Sequence, residues 1–222
     1  SSLPVFLTVT VDGSGKLLTG ASIQNVCALA EGLRVDALGL NCGLGPVQMR
    51  PLFEELKKYS SLPIILNPNA GLPSSHNGQV SYDIGPEEFA SYMEEFAKAG
   101  AGILGGCCGT TPDHIHRVYE RCSHLAPLPV IPKDITMVSS YSRTVVIDSI
   151  PVLIGERINP TGKKKLKEAL KSHDIEYILE EGLSQQDMGA HVLDVNVGLP
   201  DIDEAAMLEE TVEALQAVTN LP

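Results

Sequence analysis

A chain of 222 residues has room for one large domain or two modest ones. With 43% hydrophobic residues, few aromatics and no tryptophan, a substantial core has to be built from Leu, Ile, Val and Ala. The 28 acidic against 16 basic residues leave a net charge of −12, and such a surface repels phosphate backbones and anionic headgroups, which argues against nucleic-acid and membrane-surface partners.

The first residues, SSLPVFLTVT, have no basic region and no signal-peptide form, and they read as a cut end. No apolar run approaches the roughly 18–20 residues of a membrane span. An odd count of five cysteines without a secretory signal points to a reducing, cytoplasmic setting.

Extended apolar runs occur at 4–11, 35–41, 63–67 and 101–106, with helical patterns between them. Over 21–31, Ile23, Val26, Cys27 and Ala30 share one face. Over 50–59 the face is Leu52, Phe53 and Leu56, with Pro51 suited to a first turn. Pro86 opens the next helix, Phe89, Met93 and Phe96 line it, and Gly100 closes it. A fourth helix starts after Thr111 as N-cap with Pro112 in first position, and turns Ile115, Val118, Tyr119 and Cys122 inward. Four βα units of roughly 30 residues imply a parallel sheet covered by helices, an α/β fold.

Three prolines in 126–134 mark a connector, and TMVSSYSRTVVID after it suggests a short hairpin or an extended linker. The βα rhythm resumes with a strand at 151–156, a helix at 163–171 continued at 174–188, a strand at 191–196 and a helix at 203–218. The Lys163–Lys165 run reads as a solvated helix face. The expected organisation is 1–130 and 151–222 as parts of two domains, with 131–150 as the linker. Four units precede the linker and two follow it, whereas a closed (βα)8 TIM barrel needs eight.

Cys42 stands in GLNCGLGP just after the second strand, and Cys107 and Cys108 stand in GGCCGTTP just after the fourth. Carboxyl ends of parallel strands converge on one face, where sites form. Three readings compete for these thiols. A vicinal disulfide is disfavoured by its strained ring. Small residues packed at strand ends form the second reading. The third is a tripod for Zn²⁺ with one coordination position open. Three thiolates make that ion a poor Lewis acid for hydrolysis and a good partner for a fourth thiol, which points to thiol alkylation. Cys27 and Cys122 fall on apolar helix faces and read as core. His114 and His116 lie in a helix that starts beyond the cysteines and are not expected to ligate.

GLNCGLGP followed by GGCCGTTPDHI resembles the zinc-binding signature of homocysteine S-methyltransferase domains. IGERINPTGKKKLKEAL and GAHVLDVNVGLPDIDE are similar to the opening of a methyltetrahydrofolate-binding, or pterin-binding, barrel. Both modules in this order resemble the cobalamin-dependent methionine synthase family. The resemblance implies the last part of one TIM barrel joined to the first part of a second. It implies Cys42, Cys107 and Cys108 as zinc ligands and homocysteine sulfur as the fourth. The methyl group would come through methylcobalamin, held by a cobalamin-binding domain, from methyltetrahydrofolate. Asp194 matches the pterin-contacting aspartate, with Asn196 and Asn159 as further pterin candidates and Glu156 and Arg157 as residues shaping that strand end. Homocysteine methyltransferases of the betaine or S-methylmethionine type would share the cysteines without the second module. A zinc-holding scaffold that transfers nothing is the non-enzymatic alternative.

Overall fold

Branched apolar residues make short parallel strands in the first part of the chain, and a helix after each strand covers the sheet. The computed structural model describes residues 3–76, 78–148 and 150–222, which divide into two compact units, Ser1–Asp134 and Ile135–Pro222.

The first unit runs β1 (Phe6–Val9), α1 (Ile23–Gly32), β2 (Ala37–Asn41), α2 (Pro46–Tyr59) and β3 (Ile64–Asn67). A small hairpin follows, β4 (Ser74–His76) and β5 (Gln79–Ser81), then α3 (Pro86–Ala99), β6 (Ala101–Leu104) and α4 (Pro112–Cys122). The parallel sheet has the order β1-β2-β3-β6. Leu40 of β2 pairs with Leu66 of β3, and Leu66 with Leu104 of β6, so three strands end level with one another. Every loop that leaves these ends starts from the same edge of the sheet.

Central strands β2 and β3 are buried almost throughout, as is usual for a parallel sheet covered by helices. Phe53 of α2 and Phe96 of α3 meet edge to face at 5.2 Å between ring centroids. Gly39, in the middle of β2, has no room for a side chain, because a Cβ there would fall 1.9 Å from the Ile65 carbonyl oxygen.

Cys27 packs in this core with none of its surface exposed, and burial pushes its thiol from 9.0 up to about 12. A raised folded-state value keeps the thiol neutral in the native chain while the unfolded thiol ionises above 9.0. Its contribution to stability is therefore whole at neutral pH and is lost as pH climbs towards 12. We expect the stability gap between the unsubstituted chain and Cys27→Ala to narrow by about 1.4 kcal/mol between pH 7 and pH 10 in urea denaturation. An unchanged gap would show that the thiol ionises as readily folded as unfolded.

Two local expectations need correction. Helix α2 begins at Pro46, with Gly45 as N-cap, so Pro51 sits in its interior and not in its first turn. It is exposed there, and its missing N–H costs one hydrogen bond on the solvent side. On α4 only Val118 of the four inward residues is buried, while Ile115 and Tyr119 are 43% and 67% exposed. Among the described residues β6 pairs on one side only, so the α4 face overhangs an open sheet edge with Ala97, Leu104 and Leu125 as its floor.

The second unit opens on the antiparallel hairpin β7 (Thr136–Ser139) and β8 (Thr144–Ile147). Then come β9 (Ile154–Ile158), α5 (Lys164–Ser172), α6 (Ile175–Asp187), β10 (Val192–Val195) and α7 (Glu204–Val218). β9 and β10 are parallel neighbours, with a register shift between Leu193 and Val195. Ile158, Leu166, Leu170, Ile178, Val197, Met207 and Leu215 form the core. The helical pattern over 163–188 is two helices, because His173 takes a left-handed conformation and Asp174 caps a new start by accepting from the Tyr177 N–H. Among the described residues no helix is long and apolar enough to cross a membrane.

Candidate metal centre

Where β2 stops, Cys42 adopts φ 62, a left-handed conformation that a residue with a Cβ takes only when its surroundings enforce it. What enforces it is the neighbouring strand end. The Cys42 N–H donates to the Asn67 carbonyl at 3.0 Å, and the Leu44 N–H folds back onto the Cys42 carbonyl at 2.8 Å. Beyond β6, the Cys107 N–H donates to the Pro68 carbonyl at 2.9 Å, and Thr110 donates back to the Cys107 carbonyl from its N–H and its hydroxyl.

The loop after β3 lies between these two and joins them. The Asn69 N–H donates to the Leu44 carbonyl and the Ala70 N–H to the Cys108 carbonyl, both at 2.9 Å. Asn69 is 3% exposed, and its side-chain oxygen accepts the Cys108 N–H at 3.1 Å. One short segment thus fixes both cysteine-bearing loops by main-chain bonds.

The three sulfurs consequently meet. Cys42 Sγ lies 3.6 Å from Cys108 Sγ, and Cys107 Sγ lies 3.9 Å from Cys108 Sγ. All three are within 4.8 Å of one another, and all are free thiols. Tetrahedral zinc with Zn–S bonds near 2.3 Å separates its sulfurs by about 3.8 Å, close to the two separations at Cys108. Cys108 is exposed and the other two are half-buried, which leaves one side accessible.

The cluster also sorts its own protons. The Cys42 thiol is lowered, first by a hydrogen bond from Cys107 and then by the Gly43 N–H, with the Asn69 amide adding to them. Burial pushes Cys107 up to about 11, and its bond to Cys42 adds to that rise. Tyr82 is raised by burial and then by its hydrogen bond with Cys108.

Neither histidine is aimed at the sulfurs. His114 caps its own helix through Nδ1 and Thr111, and Nε2 meets the Ile84 carbonyl at 3.0 Å. His116 pairs with Glu120 at 3.3 Å. Cys27 is core, and Cys122 lines the groove beneath α4. The sequence pattern did not single out Asn69 or Tyr82. The only cue to either was a polar residue placed just beyond a strand end or a short hairpin.

In the second unit, Asn159 and Asn196 follow the paired residues Ile158 and Val195, so they stand at adjacent strand ends. The Asn159 amide donates to Glu156 and its oxygen accepts the Thr161 N–H at 3.0 Å. Asn196 accepts from Gly198 N–H at 2.8 Å. Asp194 is exposed and sits where the β10 register shifts. Lys163 is no free helix-face residue: its ammonium donates to the Glu156 and Arg157 carbonyls at 3.3 and 2.8 Å.

With this geometry in hand, comparison with known proteins gives three results. The profile described as homocysteine S-methyltransferase matches residues 1–122. Methionine synthase of Mycobacterium leprae (strain TN) is 35% identical over 229 residues, and that of Mycobacterium tuberculosis (strain ATCC 25618 / H37Rv) is 34% identical over 223. Each match covers 99% of this chain, which spans 19% of the length of either relative. Two crystal structures of the homocysteine methyltransferase MmuM from Escherichia coli, oxidized and metallated, are 28% identical over 53% of this chain and cover 36% and 35% of their own. Their TM-scores of 0.41 and 0.42 are too low to bear on the fold. The profile takes in β1 through α4 and all three clustered cysteines, and this chain belongs to the homocysteine S-methyltransferase family.

Proposed function

We propose that the first unit carries the homocysteine-activating centre of a methionine synthase, with Cys42, Cys107 and Cys108 as the ligands of Zn²⁺. The observation that carries this reading is the approach of three sulfurs, from the ends of two non-adjacent strands, to within 4.8 Å of one another with one side accessible. Bound there, the ion supplies an acceptor for a fourth sulfur and lowers the pKa of that thiol, which keeps it nucleophilic at neutral pH.

The chain's own residues prepare this. The Cys42 thiol is lowered by the bonds from Cys107 and the Gly43 N–H, while burial raises that of Cys107. Asn69 and the loop after β3 hold the sulfurs in place, so little reorganisation accompanies loading. The exposed flank at Cys108 is the side from which the homocysteine thiol arrives.

The same reading makes residues 1–130 and 151–222 parts of two (βα)8 barrels joined by 131–150. Asp194, Asn196 and Asn159 are then the pterin-facing residues for methyltetrahydrofolate. Cobalamin is the methyl carrier, bound by a domain outside this chain. Relatives that match across both units favour this over single-module methyltransferases of the betaine or S-methylmethionine type, which lack the second module.

X-ray absorption at the zinc edge tests the centre. We expect three sulfurs around zinc in the reduced chain and four after addition of homocysteine. A sulfur count that homocysteine leaves unchanged would make the ion structural. A fully reduced chain that retains no zinc would end the proposal.

A further inference from the structure

The turn that carries Cys107 and Cys108 is tied down beyond the cysteines as well as before them. Where it runs into α4, the Thr111 N–H donates to His114 Nδ1 at 3.2 Å, and the Thr111 hydroxyl lies 2.9 Å from the same nitrogen. The other ring nitrogen, Nε2, meets the Ile84 carbonyl at 3.0 Å. Ile84 donates its own N–H to the Ala70 carbonyl at 3.0 Å, and the Ala70 N–H donates to the Cys108 carbonyl at 2.9 Å. The bonds make a closed circuit. It runs from Cys108 through Ala70, Ile84 and His114 to Thr111, and back along the chain to Cys108.

His114 closes that circuit, and its partners allow it one arrangement of protons. A backbone N–H only donates, so Nδ1 offers its lone pair; a carbonyl only accepts, so Nε2 carries the proton. The ring is 6% exposed and stands edge to face with Phe89 at 5.5 Å between centroids, which holds its orientation. A helix cap alone does not need the second bond. The capping-box position that His114 occupies is ordinarily served by Glu or Gln, whose task is to accept the N-cap N–H. Here the same side chain also spans to Ile84, 30 positions away, where the chain returns from the β4–β5 hairpin.

We propose that His114 is a positioning residue of the metal centre: as the Nε2–H tautomer it clamps the end of the Cys107–Cys108 turn to the loop after β3, so that these two sulfurs are held in place before an ion arrives. This rests on the zinc reading above. The clamp works through the backbone, since its bonds go to Thr111 and Ile84. Thr110, between the clamp and the cysteines, donates its N–H and its hydroxyl to the Cys107 carbonyl at 3.1 and 2.6 Å. A shift at Thr111 is therefore passed on to the sulfurs and not absorbed by a loose segment.

Substitution separates the clamp from the cap. His114→Glu keeps an acceptor for the Thr111 N–H but offers the Ile84 carbonyl no donor, whereas His114→Gln carries both. The expected result is about tenfold weaker zinc binding in His114→Glu, the lower end of what loss of support behind a metal ligand costs, with affinity restored in His114→Gln. Zinc affinity in His114→Glu equal to that of the unsubstituted chain would overturn the proposal. Val118→Ala loosens the packing of the same helix without touching the circuit, and it should keep its affinity. An equal loss in that variant would reduce the effect to helix stability and overturn the proposal too. One measurement is independent of how any variant folds: ¹⁵N spectra of the unsubstituted, metal-free chain should show His114 protonated at Nε2 and bare at Nδ1. A proton on Nδ1 would contradict the clamp. Failure of the unsubstituted chain to bind zinc would instead sink the zinc reading itself.

Discussion

A chain carrying Cys42→Ser is expected to lose its zinc, although residue 42 stands 66 positions from Cys108. Serine is nearly the size of cysteine, so the turn after β2 and its left-handed residue survive. Its hydroxyl, however, stays protonated at neutral pH and offers zinc no thiolate. The two sulfurs left on the 107/108 turn cannot close a site whose three sulfurs are held within 4.8 Å of one another. Metal analysis after purification under reducing conditions checks this, with Cys122→Ser as the control that keeps its zinc. A Cys42→Ser chain with its full metal content would show that the long-range approach of the strand ends does not form the site.

The second large effect is structural. Gly39→Ala should destabilise the first unit by more than about 4 kcal/mol, beyond the ordinary range of single substitutions. The added carbon would meet the Ile65 carbonyl oxygen at 1.9 Å and its carbon at 2.6 Å, and both belong to the backbone of the adjacent central strand. No rotamer change relieves that clash, so β2 and β3 have to separate or shift register. Gly102 in β6 offers the contrast, since a Cβ there meets nothing within 4 Å. Gly102→Ala should stay within about 0.5 kcal/mol of the unsubstituted chain. Urea denaturation of the two variants side by side decides the matter, and equal midpoints would contradict it.

Much of this was legible in the sequence, for physical reasons that can be traced. The runs at 4–11, 35–41, 63–67 and 101–106 are apolar and of a length that suits strands better than helices, and each contains an observed strand. Pro86 and Pro112 mark the first turns of α3 and α4, because proline fits that position. Pro51 misled in the same way: a proline signals a first turn only when no better start lies upstream, and Gly45–Pro46 is one. The inward face assigned to α4 presumed a neighbour beyond β6, which periodicity cannot supply. The β4–β5 hairpin escaped notice, although Asn-Gly at 77–78 is a strong short-range turn signal.

For the candidate site, the residues that carry sulfur were visible because cysteine next to glycine at strand ends is chemically conspicuous. What arranges them was not. Asn69 acts through a buried amide and main-chain bonds to two loops from elsewhere in the sequence, and those partners are settled only by the order of strands in the sheet. Tyr82 arrives on a hairpin whose destination no local pattern encodes. Likewise Lys163 looked like one of three solvated lysines until the end of β9 placed two carbonyl oxygens beside its ammonium.

Among the described residues β6 is joined to the rest of its sheet through β3 alone, while its cysteine turn touches a sulfur that stands just after β2. A cation gripping all three sulfurs would rivet the outermost strand to one two places inward, so that β6 could not peel away without rupturing a thiolate bond. Fraying of that border and departure of the ion then become a single event, and the pace of exchange is governed by breathing of the β-structure.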